Sequence, residues 1–164
     1  MKVLGIDPSL RSTGFGVVES ADSSYVPVIY GIIKPSPGLP FPDRLNEIRT
    51  EIEKIIERFD PDEVSIENPF YAQNIRTALT LGQVRGSVLV AVAARSRKLF
   101  EYSPLEIKKA VTGYGRADKE QVRTMVRALL NLEDNALSLD ASDALAAAIC
   151  HLNMRLFEKK LEDG

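Results

Sequence analysis

The sequence predicts one α/β domain: a mixed five-stranded sheet with helices on both faces. Three observations carry that prediction. Strand-like segments crowd the first 34 residues, helical periodicities then alternate with short buried strands, and 164 residues without repeat or linker suit a single core.

Residues 2–7 read as a buried strand ending at the turn Pro8-Ser9. Residues 13–19 and 25–34, rich in Val, Ile, Phe and Tyr, add two more, and short loops make the three an antiparallel meander. Four prolines in residues 35–42 predict a loop. Leu45, Ile48, Ile52, Ile55, Ile56 and Phe59 recur at helical spacing, so 43–59 is an amphipathic helix. A short buried strand follows at 63–67. A loop at 68–74 leads into a long helix over 75–96, where Ala78, Gly82 and Gly86 stand four apart and leave a groove for close approach. Residues 98–102 form the last strand, and Pro104 opens a short helix to Val111. Asp118 with Gln121 three residues on is a capping-box pattern that starts the next helix. The final helix runs from Asp140 to about Leu161. The domain is expected to occupy 1–157, with 158–164 a fraying tail.

Composition excludes several classes. One cysteine, Cys150, excludes a disulfide framework, and with one histidine, His151, it excludes a zinc site of the His/Cys kind. Asp7 follows the N-terminus too soon for an apolar signal core, and no run of about 18 apolar residues is present, so no membrane span is expected. The expected setting is the cytoplasm. Net charge is −2, yet Arg76 to Arg127 holds eleven basic residues against four acids. That segment can present a basic face to a polyanion, or simply solvated helix faces.

Four carboxylates stand out. Asp7 and Glu67 each close a strand, and parallel neighbours would place them about 5 Å apart at one sheet edge, where open α/β sheets build sites. Asp140 and Asp143 share one face of a helix's first turn. Three have a plain alternative: an Asx-turn before Pro8 for Asp7, helix-dipole acids for Asp140 and Asp143. Glu67, by contrast, ends an apolar strand, where an unpaired charge is expensive to bury. Together they form a cluster that repels itself unless cations occupy it, and an all-oxygen set favours Mg²⁺ or Mn²⁺.

With these residues in view, the chain resembles the RuvC Holliday-junction resolvases. The resemblance rests on the run from Gly5 through Asp7, Thr13, Gly14 and Gly16 to Val17, on Ile66-Glu67-Asn68-Pro69-Phe70, and on Leu81-Gly82-Gln83-Val84-Arg85-Gly86. Phe100 to Pro104, Lys108 to Gly113, Lys119 to Val122 and Asp140 to Ala146 extend it over roughly residues 3–155. It implies a ribonuclease-H-like fold, a homodimer, and an endonuclease that cuts four-way DNA junctions symmetrically, alongside a branch-migration motor. It implies Mg²⁺, two ions per site, with Mn²⁺ as substitute. Asp7, Glu67, Asp140 and Asp143 would be the metal ligands, and Lys119 a catalytic cation at the scissile phosphate. Phe70 would stack on a base. The expected DNA contacts are Phe70, Tyr71, Arg76, Lys108, Lys109, Arg116 and Lys119.

Two features depart from the family. Ser9 stands where glycine is usual, suggesting a differently bent turn, and the acidic balance predicts weaker or more salt-sensitive DNA binding. His151, eight residues past Asp143, is expected to pack or to support the site from behind rather than ligate. Cys150 reads as core. Two rival functions are weighed. One is an ATP-binding member of the actin and heat-shock ATPase group, whose phosphate loop resembles Gly5 to Gly14; the other is a non-catalytic junction-binding module. The first requires about twice this chain, and the second leaves four phosphate-repelling acids without purpose.

Overall fold

The computed structural model describes residues 1–21, 24–68, 74–133 and 137–162. Strands β1 (Lys2–Asp7), β2 (Thr13–Ala21) and β3 (Ser24–Ile33) form the expected antiparallel meander. Helix α1 (Phe41–Phe59) leads to β4 (Glu63–Glu67), and α2 (Ile75–Ala94) to β5 (Lys98–Tyr102). Helices α3 (Pro104–Thr112), α4 (Lys119–Leu129) and α5 (Leu139–Glu162) complete the chain. The sheet order is β3-β2-β1-β4-β5, with β4 parallel to both its neighbours. Both β4 connections are helical crossovers, as parallel pairing requires.

The two sheet faces carry separate cores. One buries Leu4, Ile6, Val17, Val64 and Ile66 against the isoleucines of α1 and the Val84, Val88, Ala91, Val92 face of α2. The other sets Val3 and Val18 against the alanine-rich face of α5, with Ile107, Val122 and Val126 from α3 and α4 beyond it. Each fully buried Ile or Val contributes about 1.5–3 kcal/mol, and β1 and β4, covered on both faces, are buried without alternation through their middles.

Some boundaries differ from the expectation. Helix α1 begins at Phe41, inside the predicted proline loop, because Pro42 falls in its first turn, where a missing N–H costs nothing. Helix α2 stops at Ala94, just before Ser96 turns to a φ of 54°. Helix α5 continues to Glu162, through most of the segment expected to fray, with an Arg155–Glu158 ion pair on its surface. A capping box that the sequence reading overlooked, Ser103 with Glu106, starts α3. Helix α2 also corrects the reading of apolar runs: by length and composition it is apolar enough to cross a membrane. Here one face packs on α1, while Ile75, Leu79 and Val90 are left 80%, 63% and 58% exposed.

Candidate active site

In the β1–β4 ladder Ile6 faces Ile66, so the next residues, Asp7 and Glu67, end adjacent strands at the same sheet edge. Helix α5 reaches this edge because glycines let it lie against the backbone. A Cβ on Gly5 would stand 1.9 Å from the Ala144 carbonyl oxygen, and one on Gly14 the same 1.9 Å from that of Asp140. Gly16, paired with Gly5 across the ladder, would meet the Leu145 side chain at 2.5 Å. Any side chain at Gly5 or Gly14 lifts the first turns of α5 away, and those turns carry Asp140 and Asp143.

The acids sense one another. Burial pushes the Asp7 carboxyl up to about 8, with Asp143, Glu67 and Asp140 adding repulsion in that order. Glu67 is raised by burial and by Asp143. Lys119 Nζ lies 3.1 Å from Asp143 Oδ2, and the attraction raises the lysine. Asp143 nonetheless sits above the ordinary carboxylate value, because its burial outweighs the lysine. The capping box of Asp118 and Gln121 sets where α4 begins, and so where Lys119 points. Lys108 joins Lys119, Glu67 and Asp143 in lining a cleft of about 150 Å³.

Arg85 supports the cluster from behind, a role the sequence reading missed. Its Nη1 donates to the Glu67 carbonyl at 3.0 Å and its guanidinium pairs with Glu101, which accepts from Asn68 Nδ2 at 3.0 Å. Arg85 also lines a second cleft, of about 130 Å³, with Asp7, Pro8, Glu67 and Leu81. One cation thus fixes the main chain on which Glu67 stands.

Other expected residues scatter. Lys109 and Arg116 are exposed, and neither lines the cleft that Lys108 lines. Arg76 is exposed in the first turn of α2 and borders a groove with Ser9, Leu10, Arg11 and Thr77. Phe70 and Tyr71 lie outside the described residues. Ser9 needs no glycine-like backbone: it is not among the residues with positive φ, and Thr13 Oγ1 closes its turn by donating to Ser9 O at 2.6 Å and accepting from Ser9 N at 3.2 Å. His151 is buried beside Glu63, at the far end of β4, and is no ligand of this cluster. Cys150 is core, its thiol pushed up to about 12 chiefly by burial.

Among the described residues no three acidic, histidine or cysteine side chains already stand close enough to share a metal ion. Donor chemistry nonetheless fits a hard divalent cation. The set is oxygen-only, comes from three elements, and three of its members, Asp7, Glu67 and Asp143, have raised carboxyls.

Comparison with known proteins gives the family. The family model for crossover junction endodeoxyribonuclease RuvC matches residues 3–151. The crossover junction endodeoxyribonuclease RuvC of Caldanaerobacter subterraneus is 42% identical over 164 residues, covering 100% of this chain and 99% of that protein. The Pelobacter propionicus protein is 47% identical, covering 93% of this chain and 86% of its own. Among solved structures, Thermus thermophilus RuvC in complex with a Holliday junction superposes with a TM-score of 0.91 at 31% identity, covering 96% of each chain. The yeast mitochondrial resolvase Ydc2 superposes at 0.71 with 14% identity over 96% of this chain and 80% of its own, which speaks to fold alone. The ribonuclease-H-like expectation is met, and the chain belongs to the RuvC family of crossover junction endodeoxyribonucleases.

Proposed function

We propose that this protein resolves four-way DNA junctions by metal-assisted phosphodiester hydrolysis, with Asp7, Glu67, Asp140 and Asp143 as ligands of two Mg²⁺ ions. The observation that supports it best is the meeting of these acids from β1, β4 and α5 at one sheet edge, with Lys119 among them. Bound divalent ions would activate water and stabilise the charge that develops on the phosphate oxygens; Mn²⁺ would substitute. The protein supplies the rest. Asp143 orients Lys119, whose ammonium is then placed to neutralise a phosphate entering the cleft. Lys108 adds a second positive charge on the same wall. Arg85 keeps Glu67 from drifting along the edge. Lys109, Arg116 and Arg76, exposed farther out, serve the junction arms, with Phe70 and Tyr71 at its centre.

Paired incision needs two such sites related by a two-fold axis, so the working form is a homodimer in the cytoplasm, partnered by a branch-migration motor. The exposed apolar face of α2 suits the dimer interface. Among the described residues a Cβ at Gly82 or Gly86 would meet nothing within 4 Å, so the small-residue groove is open to a second copy.

The test is incubation with a labelled four-way junction and with linear duplex of the same sequence, with and without Mg²⁺. Symmetric nicks on the junction alone, only with the ion, support the reading. Binding without nicks in Mg²⁺ and in Mn²⁺ would instead indicate the non-catalytic module.

A further inference from the structure

The end of β4 remote from the carboxylates holds groups that the mechanism does not use. His151 is 1% exposed. Its Nδ1 lies 2.6 Å from the Tyr102 hydroxyl, and its Nε2 lies 2.7 Å from Glu63 Oε2. Arg155 grips both Glu63 oxygens, Nε at 2.8 Å and Nη2 at 2.7 Å. The Phe100 ring stacks on the imidazole, with 4.5 Å between centroids, and also takes the Arg155 guanidinium at 4.5 Å.

The protons have one consistent order. Burial holds His151 below its ordinary value, so the imidazole is neutral. Glu63 lies below its ordinary value too; burial opposes this, but the hydrogen bonds from Arg155 and His151 prevail. The ionised Glu63 therefore accepts the Nε2 proton, which leaves Nδ1 to accept from Tyr102. Burial pushes the Tyr102 hydroxyl up to about 12, so it keeps the proton it donates.

Spacing ties this network to the acids. Glu63 and Glu67 are four residues apart on one face of β4, about 13 Å. His151 and Asp143 are eight residues apart on α5, about 12 Å. The two rises match, so a helix that meets β4 at Glu63–His151 meets it again at Glu67–Asp143. At the second meeting α5 and β4 offer one another two carboxylate acceptors, Asp143 and Glu67, with no donor of their own between them. Gly5 and Gly14 set how closely α5 lies on β1 and β2. Among the described residues, the side-chain hydrogen bonds between α5 and β4 are at the far end.

We propose that the Tyr102–His151–Glu63–Arg155 network is a positioning device: it fixes where α5 sits along β4 and so holds Asp143 opposite Glu67. This rests on the reading of the four acids as a cation site. None of the network residues touches substrate or ion; they act through the helix.

The test compares wild type with His151→Leu, Tyr102→Phe and His151→Gln, by calorimetry of Mn²⁺ binding to the protein alone and by junction binding and cutting. Removing groups that orient ligands typically weakens metal affinity or activity about 10–100-fold. His151→Leu should show a loss of that order in Mn²⁺ affinity, with cutting reduced alongside and junction binding in chelator unchanged. Tyr102→Phe should show a smaller loss. His151→Gln, whose amide can still donate to Glu63, should recover most of the affinity. Wild-type Mn²⁺ affinity in folded His151→Leu and Tyr102→Phe overturns the proposal, whatever happens to stability. Should His151→Leu not fold, wild-type affinity in Tyr102→Phe overturns it alone. The cation-site reading fails separately, if wild type takes up no Mn²⁺ or if Asp7→Asn binds it as tightly.

Discussion

Helix α5 meets strand β4 at two places, and the two are opposites. At one, Glu63 is met by a histidine and an arginine, and every proton between them has a donor and an acceptor. At the other, Glu67 is raised by burial and by Asp143, and burial holds Asp143 above its ordinary value against the pull of Lys119. The same two elements are thus held together at one end and strained at the other. Stability is concentrated where the chain satisfies itself, and reactivity where it does not.

Substitutions should therefore have opposite effects at the two ends. The largest concerns cutting. Glu67→Gln or Asp143→Asn should lower junction cleavage at least about 10³-fold while binding persists, because a ligand and a phosphate-repelling charge leave together. Glu63→Ala should instead cost about 1–3 kcal/mol of folding stability, a fall in Tm of several degrees, since it leaves the buried His151 Nε2 without its acceptor, while Arg155 keeps Glu158. Thermal melts and a single-turnover cleavage assay separate the two. If Glu67→Gln unfolded the protein as readily as Glu63→Ala, the contrast would be wrong.

Geometry at the reactive end gives the next effect. Gly14→Ala would put a methyl 1.9 Å from the Asp140 carbonyl oxygen, so α5 must shift. The expected result is about 1–3 kcal/mol of destabilisation and about 10²-fold slower cutting. Gly82→Ala, inside α2 with open space around it, should raise the melting temperature by a few degrees rather than lower it, and serves as the contrast.

Response to pH sharpens the contrast further. Asp7 is raised to about 8 in the fold, so without divalent ions folding loses stability as pH climbs from about 4 to 8, and Asp7→Asn should gain on wild type across that window. Glu63 is lowered, so its contribution is complete above about 4.3 and is lost as pH falls through its folded value. The stability difference between wild type and Glu63→Gln should vanish in acid, while that between wild type and Asp7→Asn widens toward pH 8.

The smallest effects belong to the basic residues. Lys108→Ala, Lys109→Ala and Lys119→Ala should each reduce the log–log salt slope of junction binding by about 0.9. Only Lys119→Ala and Lys108→Ala, which line the cleft, should also slow cutting beyond the loss of affinity. An equal cutting defect in Lys109→Ala would mean that the cleft has been misassigned.

Much of the reactive end was legible in the sequence, because strand ends and helix first turns are local patterns. Asp7 before Pro8 and Glu67 after an apolar run mark the ends of strands, and Asp140 with Asp143 marks a helix face. The self-satisfied end was not legible. Glu63 opens a strand as an ordinary exposed glutamate would, and His151 reads as one polar residue on an alanine-rich helix. They meet across a sequence separation of 88 residues. Gly5, Gly14 and Gly16 were read only as parts of a motif. Their use, to admit α5, appears when the helix is in place. The small-residue spacing on α2 left open what approaches it, and only the packing shows that none of the described residues covers Gly82 or Gly86.

One measurement tests the central claim most directly: thermal melting of wild type and Asp7→Asn at pH 8, with EDTA and with Mg²⁺. Each unit by which a buried carboxyl is raised corresponds to about 1.4 kcal/mol. Asp7→Asn should therefore melt at least about 3 °C above wild type in EDTA, on the scale for a chain of this length. Mg²⁺ should raise the wild-type Tm and close that gap, leaving Asp7→Asn almost unmoved. A wild-type protein whose Tm ignores Mg²⁺, or an Asp7→Asn variant that gains as much from the ion, would contradict the claim that these carboxylates form a cation site.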